Sequence, residues 1–385
     1  MVSRGMRATI LPGLALAAAC ACAPRPCLAD PAGADSTRAG APAWPGDVSV
    51  NGFLSAGYSY NFNTPPSGTN QFRVFDFDDR TFKLDVFEMV VQKKASKPRE
   101  AGFRVDVTLG SSIPRVTVSS GLFRDPSGQA EDIDLQQAYA SWVAPAGPGL
   151  RVDAGKFVTP CGYEVIEGYD GWNDNATRSF LFGYAIPFTH VGLRATYPVS
   201  PYLALMGMVV NGWDVARDNN RSPSIGGQVA LTPSPEASLF LTSIWGPERP
   251  GNNDDMRTLV DLAATWHATR ELALGVNLDW GSDANAVAPG QDGSWSGIAG
   301  YLRIDVTPSF ALTARGETFD DGDGVRTGVA QTLSEYTVTP EVRVTSHLRV
   351  RADARVDRSN HPVFEKTQGF AKSQTTLLAN VLYSF

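Results

Sequence analysis

From Leu377 to Phe385 every second residue is apolar, and the set between is more mixed. Phe385, Tyr383, Val381, Ala379 and Leu377 share one face, and Ser384, Leu382, Asn380 and Leu378 the other. A two-residue period is the mark of a strand with one apolar face, and it recurs along most of the chain. Val48, Val50, Gly52, Leu54, Ala56, Tyr58, Tyr60 and Phe62 oppose Ser49, Asn51, Ser55, Ser59 and Asn61, with only Phe53 out of step. Soluble strands usually stop after about five or six residues. A strand this long fits one that is tilted across a bilayer and projects above it.

The connections are sorted by length. Short joins near 96–100, 144–149, 198–201, 232–236, 268–270, 307–309 and 346–347 alternate with long polar stretches near 63–79, 112–132, 161–187, 213–223, 247–255, 281–293, 320–332 and 358–370. Several short joins carry proline, which cannot continue a ladder. Short turns on one side and long loops on the other describe a transmembrane antiparallel β-barrel. The loop parity predicts an all-β fold of about sixteen strands with both termini on the short-turn side. Around residues 80–95 the apolar face switches between Val86 and Phe87, which leaves the count open by two strands.

The amino-terminus agrees with export. Arg4 and Arg7 precede an apolar run from Ala8 to Ala23, which reads as a secretory signal peptide over residues 1–29, cut after Ala29 with Cys27 and Ala29 as the small residues. Residues 30–46, rich in Ala, Pro and Gly, read as a flexible periplasmic lead-in, leaving 47–385 for the barrel. Beyond the signal no apolar run is long enough for a spanning helix, and lipid admits only helices and closed barrels. Cys161 is the one cysteine outside the signal, so no intramolecular disulfide is available.

Charge decides which face meets lipid. In the strand from Leu348, an outward odd face would put Arg349, Arg351 and Arg355 in hydrocarbon, at about 2–4 kcal/mol each near the midplane. The opposite register turns Arg303, Arg315, Arg343, Arg349, Arg351, Asp353 and Arg355 toward a wet lumen. A lumen this polar is expected to be water-filled or plugged, and about sixteen strands leave room for an aqueous channel. Tyr60, Tyr197, Trp280, Phe310 and Phe385 then fall at strand ends on the outer face, where aromatic girdles belong.

The third long stretch carries Glu164, Glu167, Asp170, Asp174 and Arg178 among aromatic residues. Folded inward, it would set an acidic loop against an arginine wall and create a transverse field that sorts solutes. As a surface loop, the same charges would merely be solvated. The run Gly155-Lys156-Phe157-Val158-Thr159-Pro160-Cys161-Gly162-Tyr163-Glu164, with Arg178-Ser179, Pro187-Phe188-Thr189-His190-Val191-Gly192, Asn211-Gly212-Trp213-Asp214 and Tyr60-Asn61-Phe62-Asn63, resembles the β-barrel porin-2 (OmpL-like) family of bacterial outer-membrane porins. The closing strand likewise resembles the last strand of outer-membrane barrels, in which the terminal aromatic is read by the barrel-assembly machinery; Tyr383 and Phe385 match that signal. The resemblance implies an outer-membrane channel of undefined substrate.

Other motifs read as structural. In Asn211-Gly212-Trp213-Asp214, Gly212 permits a turn and Trp213 is expected to anchor at the outer interface. Asp320-Asp321-Gly322-Asp323-Gly324 lacks the spacing and distal glutamate of a calcium loop and reads as a polar tip. The four histidines, His190, His267, His347 and His361, form neither a zinc spacing nor a nucleophile elbow. A net charge of -7 gives no support to nucleic-acid binding.

The expectation is therefore a passive diffusion channel for small hydrophilic solutes and ions. It should use no cofactor and reach the Gram-negative outer membrane by the Sec pathway. There it would sit among lipid and lipopolysaccharide, with a homotrimer left open. The alternative is a plugged barrel serving adhesion or surface interaction.

Overall fold

The computed structural model describes residues 47–118 and 120–385, so the expected signal segment and lead-in lie outside the described residues. Strands β1 (Val48–Asn61), β2 (Thr81–Lys93), β3 (Ala101–Leu109), β4 (Ile133–Ala144), β5 (Leu150–Val158), β6 (Thr189–Ser200), β7 (Leu203–Val210) and β8 (Ser224–Ser234) form the first half of a ring. The second half comprises β9 (Ala237–Pro247), β10 (Met256–His267), β11 (Leu272–Ala288), β12 (Gln291–Thr307), β13 (Phe310–Asp321), β14 (Gln331–Arg343), β15 (Leu348–Ser359) and β18 (Ser373–Ser384). A two-stranded hairpin, β16 (Phe364–Glu365) with β17 (Phe370–Ala371), decorates the last long loop. Each of the sixteen barrel strands pairs antiparallel with its neighbours, and β18 returns to β1 from Phe53↔Ser384 to Asn61↔Thr376. Closure satisfies every ladder and leaves no edge.

The two faces separate as the charge argument requires. On β15, Arg351, Asp353, Arg355 and Asp357 are buried, whereas Val350, Ala352 and Ala354 are exposed. In a closed ring, that exposed apolar face is the outside and the buried polar face the lumen. Trp245, Trp266, Trp280 and Tyr336 are exposed on the outer face. The switch between Val86 and Phe87 comes from a bulge in β2. Ser55 pairs with Val86 and Ala56 with Leu84, so Asp85 has no cross-strand partner and the facing parity inverts there.

Two sequence expectations need correction. Residues 281–293 are not a loop: β11 and β12 run through them, each 17 residues long, and only Pro289-Gly290 turns. Polar residues on both faces do not end a strand that has already left the bilayer. Trp213 is no outer anchor either. It is buried, edge-on to Trp295 at 6.0 Å, with Arg326 over both rings. The lumen also holds more apolar surface than expected. Phe75, Phe180, Leu181, Phe182 and Phe188 from the loops pack with Met206, Leu259, Trp295 and Phe319 of the wall into one buried cluster.

Candidate functional site

The segment between β5 and β6, residues 159–188, is built into the barrel. Its base is pinned where Thr159 N–H donates to the Phe188 carbonyl at 2.9 Å. Asp214, from the loop after β7, accepts the N–H groups of Phe188 and Thr189 at 2.6 and 2.9 Å. Gly212, at φ +139°, makes the turn that delivers Asp214. Burial pushes the Asp214 carboxyl up to about 6, and those two N–H donors work against the rise.

From that base the segment reaches the far wall. The N–H of Gly162 donates to Asp261 of β10 and that of Tyr163 to Asn277 of β11, each at 3.0 Å. The Tyr163 ring stacks on Tyr301 of β12 with centroids 4.1 Å apart. Glu164 meets Arg315 of β13 at 2.5 Å, and Arg315 also holds Glu335 of β14 at 2.5 Å. Glu167 is paired with Arg351 of β15 and with Arg178 of its own loop, each at 3.0 Å. Burial alone would raise the Glu167 carboxyl, but those two guanidinium groups outweigh it and hold the group below the usual carboxylate range.

The segment then touches the opposite side. Tyr169 N–H donates to Glu88 of β2 at 2.9 Å, and Asp170 pairs with Arg104 of β3 at 2.5 Å. Contacts with β2 and β3 on one side and β10 to β15 on the other are possible only for a chain that crosses the lumen. The return path is tied by Asp174 to Arg303 at 2.8 Å and by the Thr177 N–H to Asp353 at 2.7 Å. Glu317 then accepts the N–H groups of Phe180 and Leu181 at 2.5 and 3.1 Å. A single π-helical turn, Leu181–Ala185, follows, with its leucine and alanine ends buried.

The singled-out arginines divide into two kinds. Arg315, Arg351 and Arg355 are fully buried, and Arg355 pairs with Asp357 at 2.6 Å and donates to the Arg178 carbonyl. Arg303 is mostly buried between Asp174, Asp305 and Glu341. Arg343 and Arg349 keep 25% and 15% of their side-chain surface exposed. Neither touches the acidic loop residues. Arg343 pairs with Asp305, while Arg349 pairs with Glu341 at 3.1 Å and lies 4.6 Å from the Trp172 ring centroid. Tyr383 and Phe385 sit together on the outer face of the β18–β1 seam. The Phe385 N–H donates to Gly52 at 2.9 Å, and its ring fills the space that a Cβ at Gly52 would need.

Sequence reasoning missed a second inward element. The first long loop, residues 62–80, brings Arg73 to Asp357 at 2.6 Å and Phe75 against Phe182 and Phe188 at 5.7 and 6.0 Å. The signal was the density of Phe72, Phe75 and Phe77 in a stretch otherwise read as solvated. Inner-wall glycines were missed as well. A Cβ at Gly275 would collide with Tyr163, and one at Gly297 with Leu181, so both glycines are seats for the crossing loop.

A family model described as "Putative beta-barrel porin-2, OmpL-like" matches residues 47–385. Among solved structures, the outer-membrane channel DcaP of Acinetobacter baumannii superposes with a TM-score of 0.59 at 11% identity, covering 88% of this chain and 97% of that one. The anion-selective porin from Comamonas acidovorans gives 0.58 at 11% identity, covering 88% and 99%. The trimer form of OmpT from Vibrio cholerae gives 0.54 at 10% identity, also covering 88% and 99%. At such identities these structures share the fold with this chain. Among curated protein sequences, none matches this chain.

Proposed function

The chain belongs to the β-barrel porin-2, OmpL-like family of outer-membrane channels, and on that premise we propose that it passes small hydrophilic solutes and ions by diffusion through a lumen narrowed by residues 159–188. The observation that carries this reading is the crossing of the lumen by that loop, tied to β2 and β3 on one wall and to β10 through β15 on the other. Passage needs no covalent chemistry. The lumen replaces bulk water, and size and charge at the narrowing set what enters.

In this reading Glu164, Glu167 and Arg178 fix the loop, because each is buried in an ion pair or beside one. Asp170, Arg343 and Arg349 remain partly exposed and, with the more deeply set Asp174, Arg104 and Arg303 beside them, supply the charges a solute meets. Export through the Sec pathway, recognition of Tyr383 and Phe385 by the barrel-assembly machinery, and contact with lipopolysaccharide belong to the same proposal. So does a homotrimer, since OmpT from Vibrio cholerae has a trimer form.

The test is single-channel recording of the refolded chain in a planar bilayer. Stepwise currents would establish the pore. Silence from folded, heat-modifiable protein would transfer the assignment to the plugged, surface-interacting barrel, a reading favoured by the apolar cluster of Phe75, Leu181, Phe182 and Phe188 inside the lumen.

A further inference from the structure

Arg315, Arg351 and Arg355 spend their guanidinium groups on the crossing loop. Each gives Nη1 to it, at Glu164, at Glu167 and at the Arg178 carbonyl respectively. Two arginines on the other side of the ring do not. Arg151 of β5 and Arg194 of β6 each donate Nε to Asp153 at 2.9 Å, one to each carboxylate oxygen. Arg151 also gives Nη2 to the Ser141 hydroxyl at 3.0 Å. Among the described residues nothing accepts from Nη1 of Arg151 or from either Nη of Arg194. None of these three nitrogens is sealed from the lumen.

Strand register builds the arrangement. Asp153 is the direct cross-strand partner of Ser141 on β4 and of Arg194 on β6. Arg151 lies two residues from Asp153, hence on the same face, beside the short turn at 145–149. On the other side of Asp153 and Arg194 the next inward pair is Gly155 with Gly192, so no side chain blocks the reach of Arg194. Its guanidinium carbon lies 5.5 Å from the Tyr139 ring centroid and 4.7 Å from that of Phe157. Those ring faces hold the group without using its N–H donors. Arg151 keeps 27% of its side-chain surface exposed and Arg194 only 6%. A guanidinium that deep, with two donor nitrogens unspent, calls for an acceptor.

We propose that Arg151 and Arg194 form a binding site for the carboxylate group of a small organic solute on the inner wall of β4 to β6. The site rests on the channel reading above and names a class of solute for it. Charge and shape select the ligand. Asp153 stands between two guanidinium groups, so one positive charge on this wall has no partner there. A monoanion neutralises it, whereas a dianion would leave a negative charge behind. The unspent donors end planar forks, which match the two oxygens of a carboxylate better than a spherical halide. By accepting from Nε alone, Asp153 orients both groups and leaves their outer ends to the solute.

The test is calorimetric titration of the refolded chain, in neutral detergent and constant chloride, with sodium propionate. Arg194→Gln should weaken binding about tenfold, as expected for loss of a charge-assisted pair. Arg194→Lys keeps the charge but has no fork, so it should weaken binding nearly as much. Should Arg194→Gln fail to fold, Arg151→Gln at the more exposed position carries the same expectation. Arg358→Gln removes an exposed cation from the outer face of β15 and should leave affinity unchanged. Equal affinity in wild type and the glutamine variant would overturn the site. Full affinity in Arg194→Lys, or inorganic phosphate binding as tightly as propionate, would overturn the carboxylate assignment. Bilayer currents from the same proteins keep the two readings separate. A conducting barrel that does not bind propionate refutes the site and keeps the pore, and a silent barrel with Arg194-dependent binding does the reverse.

Discussion

Arg315 and Arg349 lie on the same luminal face but carry different consequences. The Arg315 side chain has no exposed surface and bridges Glu164 of the loop to Glu335 of the wall. Removing one partner of a buried ion cluster costs about 3–5 kcal/mol, because the remaining charges lose both water and counterion. Arg315→Met is expected to lower the unfolding free energy of the refolded barrel, measured by urea titration, by an amount of that order. A shift below about 1 kcal/mol would mean that the cluster is solvated. Arg349 keeps 15% of its side-chain surface exposed, lies over Trp172, and pairs with a Glu341 that Arg303 and Arg343 also hold. Arg349→Gln should cost no more than about 1 kcal/mol in the same assay. It should nevertheless move the reversal potential toward cation preference, and an unchanged potential would remove Arg349 from the path. Neutralising Arg351 or Arg355 is a different experiment. Both are buried against loop carbonyls, so their loss would disturb the loop as well as the charge.

The crossing loop is held by groups that respond to different perturbations. Gly275 has no side chain where Tyr163 lies, so Gly275→Val forces an overpacked contact of about 1–3 kcal/mol. Trypsin should then cut after Arg178, which is buried in the docked loop. Resistance equal to wild type would show that the seat tolerates a side chain. Acid should act on Glu167. Its folded value is depressed by Arg178 and Arg351, so its contribution is present above the ordinary carboxylate range and is lost as pH falls through the folded value. Amide exchange in residues 162–180 should rise below about pH 4, and flat protection down to pH 2 would refute the coupling. How much of this was legible follows from the physics of each signal. The inner and outer faces of β15 could be read because lipid penalises arginine and the period is strict. Residues 281–293 could not, since a strand above the bilayer is wet on both faces and loses the contrast that marks it. Docking of Arg73 on Asp357 was hidden because β15 lies beside the first loop only after β18 closes on β1. Gly275 and Gly297 look like weak points in a strand until the side chains that occupy their space are known.

For the whole barrel, the net charge of -7 says little about what passes, because the luminal charges are matched locally. Arg151 and Arg194 share Asp153, Arg104 lies between Asp106 and Asp170, Arg343 faces Asp305, and Arg349 faces Glu341. The surplus cation at Asp153 is offset by the surplus carboxylate at Arg104, and screening at physiological salt falls off over about 8 Å, so an ion passing on the far side meets little net charge. The wild-type pore is therefore expected to show a reversal potential near zero under a salt gradient. The balance should tip most easily at Arg104 and Arg343, whose partners Asp170 and Asp305 are themselves partly exposed. Asp170 keeps 38% of its side-chain surface, and Asp170→Asn would leave Arg104 facing the lumen with only Asp106 beside it. That change should turn the potential toward anions while the thermal shift of the barrel on gels stays as in wild type. A strongly selective wild type, or an Asp170→Asn pore with unaltered potential, would mean that solutes pass elsewhere than between β3 and the crossing loop.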